Sequence, residues 1–301
     1  MFLRNIAKKG KCHPETQYLH LIKDILTTGE TNMGRNGITK SLFGVTMRYP
    51  LENATIPLLT TKKVAWKTCL KELLWFIKGS TDNCLLKAEK VAIWNKNASR
   101  SFLDQQGLTH YREGDLGPIY GHQWRFFNAP YIDAETDYSR QGVDQLQNII
   151  DKLKHPEERY SRRLILSAWN PVQLQDMALP PCHILMQFNV NMNDQLSCCL
   201  YQRSGDIGLG IPFNIASYSF LTHILAKHCD LEAKEFIHFI GNAHIYESHI
   251  NALEKQIQRT PLPFATLEIR DKKPNIVDYK LSNFRINNYK SYETIKMEMM
   301  A

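Results

Sequence analysis

The chain has no uninterrupted run of about 18 apolar residues, which excludes a membrane-spanning helix. It lacks low-complexity tracts, Gly/Ser-rich or Pro-rich linkers and internal repeats, so collagen-like and solenoid architectures are excluded too. Its seven cysteines include no Cys-x-x-Cys pair, and their odd number and irregular spacing speak against a disulfide scaffold or a zinc module. The thiols read as reduced and intracellular. The opening residues, MFLRNIAKKGKCHPE, hold no long apolar core and do not read as a secretory signal. Walker and dinucleotide fingerprints are missing, since GDIGLG at 205–210 fits neither. There is no H-E-x-x-H either, and His244 and His249 stand five apart, off a common helix face, so no metal is expected.

What is present is the composition of a folded protein: 43% apolar and 22% charged residues over 301 positions, enough to build a core. A net charge of +7 admits an anionic partner; nucleic acid would need a basic patch, whereas a small phosphorylated substrate needs only a few arginines. With no linker in sight, residues 1–301 read as a single domain.

Tyr18, Leu21, Ile22, Ile25 and Leu26 form the stripe of a first helix from about Pro14 to Thr28, with Gly29 as its exit. A second runs from about Trp66 to Lys78, stopped by Gly79. Residues 96–115 and 128–142 are polar and aperiodic, as surface loops are. Strands are expected at Arg163–Trp169, Cys182–Val190, Gln195–Gln202 and Phe236–Ile240, with helices over about Phe213–His228 and Ala243–Gln258. Strands in succession without intervening helices argue for a mixed sheet packed with helices, hence an α+β fold.

The chemistry-bearing residues fall into a few groups. Cys182-His183 follows two prolines, and a Cys–His hydrolase dyad is one reading, although neighbours on a strand face opposite ways. A buried structural cysteine is the plain alternative; nearby arginines, which would lower the thiol pKa, favour a nucleophile. Those arginines are Arg35, Arg162, Arg163 and Arg203, the last followed by Ser204-Gly205-Asp206. They are either solvated surface charges or forks for a phosphate dianion. Asn214 lies where the long helix should start and is an N-cap or an amide able to read an imide edge such as uracil's. His244 and Tyr246 are placed at the start of the next helix. Glu72, inside KELLWF, is a solvated face residue or a partly buried carboxyl fit for proton transfer.

Seven segments go further: LLTTKK (58–63), ELLWFIKGSTD (72–82), DLGPIYGHQWR (115–125), SRRLILSAWNP (161–171), LPPCHILMQF (179–188), YQRSGDIGLGIPFNIASY (201–218) and GNAHIYESHI (241–250). In these, and in the closing KMEM (296–299), the chain resembles the thymidylate synthase family along almost its whole length. The resemblance implies the family's α+β fold, dimerising through sheet faces, and conversion of dUMP and 5,10-methylenetetrahydrofolate to dTMP and dihydrofolate.

By the same resemblance Cys182 is the nucleophile that adds to C6 of the uracil ring. Glu72 shuttles protons through water that Tyr120 and His183 order, and Asp206 belongs to the catalytic set. For dUMP, Arg35, Arg203 and Ser204 meet the phosphate, joined by Arg162 and Arg163 of a partner subunit. Asn214 reads the uracil imide edge, His244 and Tyr246 hold the sugar 3′-hydroxyl, and Gln202 belongs to the dUMP-binding set. For the folate, Lys62, Ile93, Trp94, Asp206, Leu209, Gly210, Phe213 and Ala301 match contact positions. Neither a metal nor a membrane is implied. The location is cytoplasmic, with the nucleus added in a eukaryotic or viral source.

The chain departs from the family pattern in three places. The loop GRNGITKSLFG (34–44) is shorter by one residue, Lys96–Ser99 are altered, and the tail YKSYETIKMEMMA lacks the usual His-Pro pair. Two other functions share these residues. A dUMP hydroxymethylase would release a hydroxymethyl product, and a catalytically weak homologue would hold RNA with a steep salt dependence.

Overall fold

The computed structural model describes residues 12–34 and 36–300. Strands β1 (Glu30–Gly34), β2 (Gly37–Pro50), β4 (Ile165–Ser167), β5 (His183–Val190), β6 (Gln195–Asp206) and β7 (Glu232–Tyr246) form one six-stranded sheet in the order β1-β2-β7-β6-β5-β4. A small sheet joins β3 (Thr55–Ile56), β8 (Ala265–Ile269) and β9 (Phe284–Asn287). The helices are α1 (Thr16–Thr28), α2 (Trp66–Ile77), α3 (Asn83–Ala88), α4 (Arg100–Gln105), α5 (Tyr120–Phe126), α6 (Gln145–Lys154), α7 (Gly210–His228) and α8 (Ile250–Gln256).

All neighbours in the large sheet are antiparallel except β6 and β7, which run parallel. A parallel pair cannot be closed by a hairpin and needs a long crossover, which α7 supplies. That helix is apolar on nearly every side and buried almost throughout, as a helix at the centre of a core must be. It packs on β6 and β7 and against α2, while α1 lies on β2. The α+β expectation with a mixed sheet is met. The stripe of α1 is buried at Tyr18, Leu21, Ile22 and Ile25, and Leu26 is partly so.

Across the sheet, Leu185, Tyr201 and Phe239 pair in line on β5, β6 and β7, and all three are exposed. With Ile165 on β4 they leave apolar surface open on the sheet. Among the described residues no helix is long and apolar enough to cross a membrane. None of the seven cysteines is in a disulfide, and Cys198 and Cys199 differ in burial as strand neighbours should.

Three expectations are corrected. The strand read at Phe236–Ile240 is the middle of a 15-residue strand, so Ala243–Tyr246 continue β7 and helix α8 starts only at Ile250. Helix α7 begins at Gly210, because Pro212 is tolerated within a first turn; Asn214 is therefore inside the helix and not its cap. The stretch 96–115 is no surface loop throughout. It holds α4, and the Arg100 guanidinium binds the carbonyls of Leu108 (2.9 Å) and Tyr111, closing it on itself.

Candidate active site

Glu15, wholly buried ahead of α1, explains the paired threonines of LLTTKK. Its carboxylate accepts the backbone N–H groups of Thr60 and Thr61 (both 2.8 Å) and both hydroxyls (2.6 Å each). This fixes the segment that carries Lys62. Lys62 does not reach outward; it is buried and donates to the Gly208 carbonyl. Burial lowers its ammonium pKa to about 8, opposed by the charge of Asp206.

Glu72 sits on α2 and is nearly inaccessible. The Trp94 indole N–H donates to its Oε1 at 2.7 Å. Burial pushes the carboxyl up to about 7, with the Trp94 hydrogen bond opposing. A carboxyl that titrates near neutral pH is suited to giving and taking protons. The Trp94 ring packs edge-on to Tyr120 (6.2 Å between centroids), and Tyr120 stacks on the His183 imidazole at 4.0 Å.

Cys182 follows Pro180-Pro181 just ahead of β5 and is partly exposed. Its backbone N–H donates to the Tyr120 hydroxyl (2.8 Å), and its carbonyl accepts the Arg203 N–H (2.8 Å). The Arg203 side chain donates to the carbonyls of Pro181 (2.7 Å) and Pro180 (3.0 Å), so the guanidinium grips the turn that presents the thiol.

His183 is not the base of a cysteine dyad. Its Nδ1 is engaged by the Tyr218 hydroxyl, and burial, helped by His238, lowers its pKa to about 3. An imidazole so reluctant to take a proton is a poor general base at neutral pH.

Strand β6 runs on to Asp206, so Ser204 and Asp206 lie beside Asn242 and His244 of β7. The Ser204 hydroxyl and His244 Nδ1 are 3.4 Å apart, and the His244 and Tyr246 rings meet edge-on at 5.2 Å. The Gln202 amide donates to Asn214 Oδ1 (3.0 Å), and its own Oε1 meets His238 Nε2 at 2.8 Å. This chain fixes which way the Asn214 amide faces. Asp206 accepts the N–H groups of Gly208 (2.9 Å) and Leu209 (3.2 Å). Burial pushes its carboxyl up, but His249, the Gly208 amide and His244 outweigh it and hold it below the usual range. Leu209, Gly210 and Phe213 follow at the start of α7, partly exposed, and Ile93 packs at the core edge beside Trp94.

Arg162 and Arg163 are exposed just ahead of β4, and neither side chain has a hydrogen bond or ion pair among the described residues. Arg35 and Ala301 lie outside the described residues. Glu15, Tyr218 and His238 escape a reading of the sequence, and His249 is weighed there only as a metal ligand; their partners are remote in the chain, so no local pattern marks them.

A partly exposed thiol and a separate buried acid titrating near neutrality are the groups that nucleophilic addition and proton transfer require. Residues 16–301 match the family model of thymidylate synthase. The chain is 54% identical over 289 residues to the thymidylate synthase of Homo sapiens, covering 95% of this chain and 91% of that one. It is 52% identical to that of Human herpesvirus 8 type P (isolate GK18), over 95% and 84% of the two chains. A bifunctional dihydrofolate reductase-thymidylate synthase of Zea mays is 51% identical, with 95% of this chain and 54% of that protein covered. This chain thus spans about half the length of that bifunctional relative. It belongs to the thymidylate synthase family.

Proposed function

We propose that the chain converts dUMP and 5,10-methylenetetrahydrofolate to dTMP and dihydrofolate. The observation that carries this reading is the continuous set Cys182, Tyr120, Trp94 and Glu72, with the carboxyl held near pH 7. Cys182 Sγ adds to C6 of the uracil ring, and the electron pair released toward C5 makes that carbon the nucleophile; the C6–S bond breaks again, returning the thiolate, when the C5–C6 double bond re-forms in the product. Glu72 passes protons to and from the ring through water, while Tyr120 holds the Cys182 backbone in place.

Asn214, its amide oriented by Gln202 and His238, reads the imide edge. Arg203 and Ser204 receive the phosphate, and His244 and Tyr246 the sugar hydroxyl. Arg35 belongs to the same phosphate site. The folate supplies the one-carbon unit and the hydride. Ile93, Trp94, Leu209, Gly210 and Phe213 offer flat apolar and backbone surface for it beside the ionised Asp206, whose acceptor oxygens suit the N–H groups of a pterin. Lys62 serves by bracing the Gly208 carbonyl, and Ala301 is assigned to the folate by family resemblance alone.

The exposed row Leu185, Tyr201 and Phe239 supports a homodimer through the sheet face, and apolar surface so aligned favours burial against a second copy. Arg162 and Arg163, without a side-chain partner among the described residues of their own subunit, would then complete the neighbouring phosphate site. Seven cysteines without a disulfide suit a reducing, cytoplasmic setting.

The test is the absorbance rise from dihydrofolate with dUMP and methylenetetrahydrofolate, in wild type and Cys182→Ala. Turnover in the first and none in the second is expected; a hydroxymethylated nucleotide, or turnover that survives the substitution, would refute the assignment.

A further inference from the structure

His249, in the turn between β7 and α8, is wholly buried and plays no part in the reaction described above. Its Nε2 is 2.7 Å from the Glu298 carbonyl oxygen in the C-terminal segment. Its Nδ1 is 3.5 Å from Asp206 Oδ1, long for a strong hydrogen bond but within ion-pair reach. Both neighbours are acceptors only. A neutral imidazole carries one N–H and can serve one of them; the imidazolium serves both.

The elements it joins are otherwise separately held. The loop after Asp206 is pinned by Tyr18, whose hydroxyl donates to the Ile207 carbonyl (2.8 Å), and by Lys62 on the Gly208 carbonyl. The tail is anchored upstream, where the Tyr292 N–H donates to the Thr60 carbonyl (2.8 Å) and Arg259 donates to the Glu293 carbonyl (3.0 Å). Beyond that point, the bond to His249 is the one hydrogen bond that residues 294–300 make among the described residues. Gly208 is packed between the two: a Cβ there would lie 2.7 Å from His249 Nδ1 and 3.0 Å from Met297 Sδ.

We propose that His249 is a positioning residue, a proton-dependent latch that ties the C-terminal segment to the Asp206–Leu209 loop. The inference rests on the reading that this loop faces the folate. The groups around the imidazole are Asp206 from β6, His244 and Tyr246 from β7, Lys62 from the segment after β3, and the Glu298 carbonyl. Burial pulls the His249 pKa down, and Asp206 and Glu298 overcome it, so that it lies above the ordinary 6.5 despite the opposing Lys62 charge. As pH rises through that value the imidazolium loses a proton and one of its two links. The tail should therefore loosen at alkaline pH.

The experiment follows the rate at which carboxypeptidase trims the full chain, and the KM for methylenetetrahydrofolate and for dUMP, from pH 6 to 8.5 in wild type and His249→Gln. In wild type, trimming accelerates and the folate KM rises with pH while the dUMP KM does not follow. In His249→Gln both are raised about tenfold at pH 6, the loss of one charge-assisted hydrogen bond, and their pH dependence disappears. Trimming whose pH dependence survives the substitution overturns the latch. Trimming that responds while the folate KM does not leaves the latch standing and refutes the folate assignment of the loop. Should the variant fail to fold, wild-type trimming that is indifferent to pH is enough to overturn the proposal.

Discussion

Replacing Glu72 with Gln separates what the carboxyl costs the fold from what it does in the reaction. In the unfolded chain the group titrates at an ordinary 4.5, and in the fold at about 7. Between those values the unfolded chain has released its proton and the native protein has not. This raised carboxyl therefore stabilises the fold in acid, and the contribution is lost as pH climbs to about 7. Integrated from pH 5 to pH 8, wild type gives up about 2.5 kcal/mol through this one group.

Gln cannot ionise and keeps an oxygen for the Trp94 N–H, so that loss is absent from the variant. Any fixed cost of burying the amide is the same at both pH values and cancels. Urea unfolding of both proteins at one protein concentration, at pH 5 and pH 8, should show the variant gaining about 2.5 kcal/mol on wild type at the higher pH. Turnover should fall by about 10²- to 10⁴-fold, the range for a lost general acid–base group. A variant whose stability difference from wild type is the same at both pH values, or one with full turnover, would show that Glu72 is an ordinary carboxylate and refute this reasoning.

The buried imidazoles act with the opposite sign. His183 and His238 titrate at about 3 and His223 at about 4, all below 6.5, so their contribution is intact above 6.5 and drains as pH falls. Together they can remove up to about 4 kcal/mol per pH unit, and the urea midpoint should drop steeply between pH 6.5 and 5, less so in His238→Gln. Glu15→Ala strips the acceptor from two backbone amides and two hydroxyls, so a loss of about 4 kcal/mol by urea unfolding is expected, with tail trimming accelerated through Thr60. Gly79→Ala puts a side chain at φ +78°, 2.6 Å from the Phe126 ring, and should cost about 2 kcal/mol or more in thermal or urea unfolding.

Where local periodicity and tertiary demand agree, the sequence is enough to read the element. The stripes of α1 and α2 and the apolar runs of β4 and β5 were of this kind, and so was the turn at Pro180-Pro181 that sets Cys182 off. The end of β7 is different. Asn242-Ala243-His244-Ile245-Tyr246 alternates strictly between half-buried and buried positions, a period-two signal present in the letters themselves. The helix expectation missed it because apolar positions farther on, such as Leu253, fit a helix, and the strand's length is set by pairing with β2 and β6. That error mattered, because a strand holds His244 on the same face as Ser204 and a helix would not.

The deeper limit concerns the groups that tune the site and do not touch substrate. That Glu72 is a carboxyl on an apolar helix is legible from KELLWF; that it titrates near 7 follows from its burial by the fold, against the opposing hydrogen bond of Trp94, which is 22 residues away. Asn214 can be picked out as an amide, yet its orientation is decided by Gln202, 12 residues back, and His238, which lies beyond the whole of α7 on β7. Local patterns report which side chain an element presents and to which face. The proton affinity and direction of that side chain come from desolvation and from acceptors that the topology delivers. In this chain the parallel β6–β7 pair and its crossover α7 deliver them, since Gln202, Ser204, Asp206, Asn214, His238 and His244 all lie on those three elements. A substitution that shifted α7 along the sheet would therefore disturb the orientation of the Asn214 amide and the ionisation of Asp206 together.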